Sequence, residues 1–96
     1  MSMYNPPHPG EFIREVYLDT LGISARTVAA ALKVAPSTFI RILNGKSSIT
    51  PEMALRLSKT LGRTPESWLA MQNSYDLWQM RQSINMDEVK KLELVI

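Results

Sequence analysis

The sequence predicts an all-α domain of five short helices with a short C-terminal extension. Three observations predict this. Apolar residues recur at helical spacing near both ends of the chain: Phe12, Ile13, Val16, Tyr17 and Leu21, then Trp68, Met71, Tyr75 and Trp78. The triplet Thr-Pro-Glu occurs twice, at 50–52 and 64–66, each time as a helix start: a capping hydroxyl, a proline at the first helical position, and an acid near the positive end of the helix dipole. No segment before the last few residues alternates as a strand would.

The elements follow in order. Pro6, Pro7 and Pro9 keep residues 1–8 extended, as an N-terminal arm. A first helix, EFIREVYLDTL, ends at Gly22. Ser24 caps a second, ARTVAAAL, whose alanines favour helix and permit a close helix crossing at Ala29. Lys33-Val34 forms the turn. Pro36 opens a third helix that ends near Leu43, before Asn44-Gly45. The fourth runs from Thr50-Pro51 to Gly62, and the fifth from Thr64-Pro65 to about Gln82. Residues 9–82 then form one domain. The tail, 83–96, reads either as a short helix capped by Asp87 or as a strand over LELVI. Helices this short need shared packing to persist.

Composition narrows the function. A chain of 96 residues that is 45% hydrophobic suits one modest core. It has no cysteine, so neither disulfides nor thiolate metal sites arise. The start, MSMYNPPHPG, lacks the basic and apolar segments of a signal peptide, which places the protein in the cytoplasm. The net charge is only +2, but it is unevenly spread. From Ser24 to Arg63, seven basic residues face the single acid Glu52, a balance of +6; the remainder carries −4. A basic block inside an acidic frame fits a phosphate-binding surface.

Two helices of about eight residues joined by a tight turn form a helix-turn-helix, here over 24–46. In that motif the second helix enters the DNA major groove and its first residues meet base edges. The composition of VAPSTFIRILNGK follows. Val34, Phe39, Ile42 and Leu43 hold the helix to the body. Pro36, Ser37 and Thr38 are small enough for close approach, and Arg41 can bond guanine O6 and N7 together. Lys46 suits a phosphate contact. Ser24, Ala35, Ile40 and Asn44 complete the candidate DNA-binding set.

Ser24 to Lys46 resembles the lambda-repressor-like (XRE-type) helix-turn-helix family, which often reads S-Q-x-x-L-A-x-x-L-G-V-S-x-x-T-h-S-R-h-x-N-G-K, with h apolar. Ser24, Val28, Ala29, Leu32, Val34, Thr38, Phe39, Arg41, Ile42, Asn44, Gly45 and Lys46 match. HPGEFIREVYLDTLGIS at 8–24, ITPEMALRLSKTLG at 49–62 and PESWLAMQNSYDLW at 65–78 are similar to the HigA-type antitoxins, the VapI group. The likeness covers about positions 6–80. Four positions depart from it. Lys33 replaces the turn glycine and must take a left-handed backbone. Ala35 replaces a capping serine, a loss of roughly 1 kcal/mol that Pro36 partly offsets by fixing φ. Ala25 replaces a glutamine, and Ile40 a small polar residue.

The resemblance implies a type II antitoxin. Such a protein binds a toxin encoded next to it, commonly a RelE-like mRNA endonuclease, and as a homodimer represses its own promoter on double-stranded operator DNA. It would be nucleoid-associated when bound. A stand-alone helix-turn-helix repressor is the alternative, and a module that has lost DNA binding a further one. The residues themselves assign the apolar surplus of the fifth helix and the 83–96 tail to a dimer contact. No catalytic residue, cofactor or membrane span is expected. His8 and Glu11 have a metal-like spacing, but His8 is the only histidine, and the pair reads as the start of the first helix. Glu66 and Asp76 lie nearly three turns apart, with no nucleophile or base nearby.

Overall fold

The computed structural model describes residues 5–95. Helix α1 begins at Pro9–Ile13 and continues as a π-helical segment, Arg14–Asp19. It is followed by α2 (Ala25–Leu32), α3 (Pro36–Leu43), α4 (Pro51–Thr60) and α5 (Pro65–Ser83). Among the described residues there is no strand, and no helix is long and apolar enough to cross a membrane.

The starts follow the sequence. Ser24, Thr50 and Thr64 each accept a backbone N–H through the side-chain oxygen, from Thr27, Met53 and Ser67. His8 does the same for α1: its Nδ1 accepts the Gly10 N–H at 2.9 Å. Ala35 at the start of α3 makes no side-chain cap, and Pro36 follows it.

The interior gathers one face of each helix. Ile13 comes from α1, Val28, Ala29 and Leu32 from α2, and Phe39, Ile42 and Leu43 from α3. Met53, Ala54 and Leu57 of α4 and Trp68 of α5 complete it, with Ile49 from the loop before α4. Trp68 is fully buried; its Nε1–H donates to the Gly62 carbonyl at 2.9 Å, and Phe12 and Tyr17 pack against its ring.

Two expectations are corrected. Val16 and Leu21 do not face the core; they are 42% and 60% exposed. The π-helical segment winds with more residues per turn, so Tyr17 packs inward as expected but is joined by Leu18 in place of the other two. The tail is neither helix nor strand through residue 95. Asn85 accepts the Asp87 N–H in a local turn, Val89 bonds back to Met86, and nothing extends that turn. Residues 5–8 of the arm are non-helical; positions 1–4 and Ile96 of LELVI lie outside the described residues.

Helix α5 outruns the body. Beyond Gln72 its residues are exposed or half-buried, Trp78 included. The radius of gyration is 16.6 Å, against roughly 12.5 Å for a compact chain of this length. The accessible surface is 7029 Å², against roughly 5,600 Å² for a compact monomer of this mass.

Candidate nucleic-acid interface

The α2–α3 turn is a Schellman stop. Val34 N–H bonds the Ala29 carbonyl and Lys33 N–H bonds that of Ala30, both at 3.1 Å. Lys33 stands at φ 63°, ψ 42°, the left-handed conformation that its place in the turn demands. A non-glycine residue there costs on the order of 1 kcal/mol. The end of α3 repeats the device, with Lys46 N–H on Arg41 at 2.8 Å and Gly45 N–H on Ile42 at 3.0 Å. Gly45 sits at φ 74°. The first stop ends α2, and the second, with Pro36 at the start, holds α3 to eight residues.

Phe39, Ile42 and Leu43 bury one face of α3. Pro36, Ser37, Thr38, Ile40, Arg41 and Asn44 form the opposite face, all exposed, with Ala35 and Lys46 exposed just beyond its two ends. The structure thus brings together eight of the nine candidate residues. The ninth, Ser24, stands at the start of α2, where its hydroxyl is engaged with the Thr27 N–H and Oγ1.

Arg41 donates from Nε to Ser47 Oγ at 3.2 Å. Among the described residues nothing else bonds its guanidinium. Its two outer nitrogens are therefore the ones available for a paired acceptor such as a guanine edge. Asn44 accepts through Oδ1 from Arg14 Nη2 at 2.8 Å. Sequence reasoning left Arg14 in the acidic frame, yet the fold places its charge beside the end of α3. Only the packing of α1 on α3 could reveal that.

The basic block is not one surface. Arg56 donates from Nη1 to the Leu32 carbonyl at 2.7 Å, satisfying an otherwise open end of α2, and pairs with Glu52 at 2.8 Å. Arg63 lies over the rings of Phe12 and Trp68, 5.2 and 5.7 Å from their centroids. Lys33, Arg56 and Lys59 line a separate cleft of about 350 Å³. Among the described residues no three His, Cys, Asp or Glu side chains are grouped as metal ligands would be.

The family HTH_3, Helix-turn-helix, matches residues 13–69. The HTH-type transcriptional regulator YddM of Escherichia coli K12, itself uncharacterised, is 41% identical, over 96% of this chain and 97% of that one. Antitoxin HigA-1 of Vibrio cholerae is 36% identical, over 79% of this chain and 71% of that one. The solved structure of antitoxin GraA in complex with its operator superposes with a TM-score of 0.87 at 37% identity, covering 98% of each chain.

Proposed function

Since the chain belongs to the helix-turn-helix family HTH_3, a family of regulators and antitoxins rather than enzymes, we propose that it is an antitoxin that represses its own promoter. In this reading it binds operator DNA as a dimer through α3, and it neutralises an mRNA endonuclease encoded beside it. One observation carries the DNA half: α3 turns outward a face on which Ser37, Thr38 and Asn44 accompany Arg41, with Lys46 at its end. The likeness to an antitoxin bound to its operator supports the same placement.

The face makes separate predictions for Arg41 and Lys46. Arg41→Ala should cost about 1–3 kcal/mol and relax preference at one base position. Lys46→Ala should weaken binding to every sequence and flatten the salt slope by about one unit. Anisotropy titrations of a duplex from upstream of the gene, over a salt series, measure both. An Arg41→Ala variant that binds like the parent would move the reading face elsewhere.

The dimer half rests on exposed apolar surface. Leu77 and Met80 on the overhanging turns of α5 are about half exposed, and Ile84, Met86, Val89, Leu92, Leu94 and Val95 of the tail are exposed too. A single recognition helix reads few base pairs, so two copies about 34 Å apart are needed for useful specificity. Ending the chain at Asn85 should yield a monomer by light scattering. A dimer of the shortened chain would reject this assignment.

The antitoxin half is tested in cells. The neighbouring open reading frame is expressed alone and then with this chain, and growth is followed. Arrest relieved by this chain supports an antitoxin. No arrest, or arrest that it cannot relieve, favours a stand-alone repressor, the reading with which a relative named as a transcriptional regulator agrees.

A further inference from the structure

Two buried polar side chains lie outside the α3 face, His8 and Gln72. Both grip the loop between α3 and α4. Gln72 Oε1 accepts the Ile49 N–H at 2.8 Å, and its Nε2 donates to Asp76 Oδ1 at 3.0 Å. His8 sits under the other end of the loop. Its Cγ is 3.8 Å from where a Cβ on Gly45 would stand, and the Ser47 backbone lies near enough to the ring to raise its proton affinity. The imidazole also meets the Tyr75 ring of α5 in a T-shaped pair, with centroids 4.9 Å apart and planes at 82°.

Packing alone does not call for these residues. A buried amide or imidazole costs free energy unless its bonds are made; a leucine could match the volume of either, but would leave the Gly10 or the Ile49 N–H without its acceptor. What the two add is direction. They hold the loop at Gly45 and at Ile49, and Ser47, which lies between these two points, holds Arg41 through its Nε.

We propose that His8 and Gln72 are positioning residues for DNA binding, which lock loop 44–50 so that Lys46 and Arg41 stand ready for the duplex. The proposal rests on the DNA-binding reading above. It also makes binding acid-sensitive. Burial lowers the proton affinity of His8, while Asp76 on α5, the Ser47 carbonyl in the loop and Glu11 on α1 act the other way. Tyr75 of α5 packs against the ring as well. The Nδ1 that accepts the Gly10 N–H must be unprotonated. The unfolded chain is therefore the better proton acceptor. Stability is full above the ordinary histidine pKa of about 6.5 and is lost as pH falls through it. Added positive charge alone would tighten DNA binding in acid, so weakening there marks a displaced loop.

The test uses the full chain and a fluorescent duplex carrying the sequence upstream of the gene. Gln72→Leu and His8→Asn are compared with the parent, each checked for helix content first. Asparagine keeps an acceptor for the Gly10 N–H and does not titrate. Gln72→Leu is expected to bind roughly tenfold more weakly, the worth of about one charged hydrogen bond. Its salt slope should be shallower by about one unit, as when one phosphate fewer is neutralised. Parent binding should hold down to about pH 6.5 and weaken as pH falls below it, and His8→Asn should not follow it. Amide exchange by NMR should quicken from Gly45 to Ile49 in Gln72→Leu while the interior amides of α2 and α3 keep their protection.

Unchanged loop exchange, or quickened exchange with parental affinity, overturns the proposal while leaving DNA binding intact. A parent that binds no duplex overturns the DNA reading, and the proposal with it. Should Gln72→Leu not fold, the pH profiles of the parent and His8→Asn decide the matter.

Discussion

Replacing Gly10 by alanine is expected to destabilise the domain by at least about 3 kcal/mol, at the severe end of overpacking. An added Cβ would stand 1.9 Å from the Ile42 carbonyl oxygen and 2.8 Å from the Leu43 Cα. Both obstacles are backbone, so no side chain can swing aside. Alanine is the better helix former by about 1 kcal/mol, and the clash outweighs that gain. The Ile42 carbonyl also accepts the Gly45 N–H that ends α3. Pushing it away loosens the stop of the recognition helix as well as the α1–α3 crossing. A thermal melt should show a midpoint lower by roughly 12–24 °C, at 4–8 °C per kcal/mol for a domain of this size. A midpoint equal to or above the parent's would show that the helices separate there without cost.

Trp68→Ala should cost about 3–5 kcal/mol. A domain this small holds only about 5–14 kcal/mol in total, so the variant keeps little margin. The indole is fully buried and ties three regions together: Phe12 and Tyr17 of α1, the Gly62 carbonyl after α4, and the Arg63 guanidinium above its ring. Trp68→Phe separates these parts. It keeps an aromatic face but leaves the Gly62 carbonyl without its donor, so it should cost less, on the order of 1–3 kcal/mol. Urea unfolding of the two variants measures the difference. Equal losses would assign the effect to volume and leave no role for the N–H.

Local signals were legible in the sequence, and contacts between distant segments were not. Ser24, Thr50 and Thr64 act as caps, and Gly22, Gly45 and Gly62 end helices at positive φ, because these are choices made within a few residues. The same reasoning anticipated the left-handed Lys33 and the uncapped Ala35. The exposed face of α3 followed from its period, since Phe39, Ile42 and Leu43 leave the opposite side outward. Other features depended on partners far along the chain. Gln72 stands four residues after Trp68, where the stripe calls for an apolar side chain, and its purpose is visible only with Ile49 beside it. Arg14 and Asn44 are thirty residues apart. Arg63 is basic by composition, but its charge is turned onto two aromatic rings. The turn of α1 escaped periodicity because a regular 3.6-residue repeat assumes regular winding, which Arg14–Asp19 does not keep.

That segment bears on how the chain is aligned with its kin. A π-helical turn accommodates one residue more than an α-helical turn between the same two anchors, here Ile13 in the core and the stop at Gly22. A homologue shorter by one residue can therefore keep both anchors in register with an unbroken α-helix. The gap in such an alignment would belong inside α1, between 14 and 19, where a helix can hold one residue more without giving it to a loop.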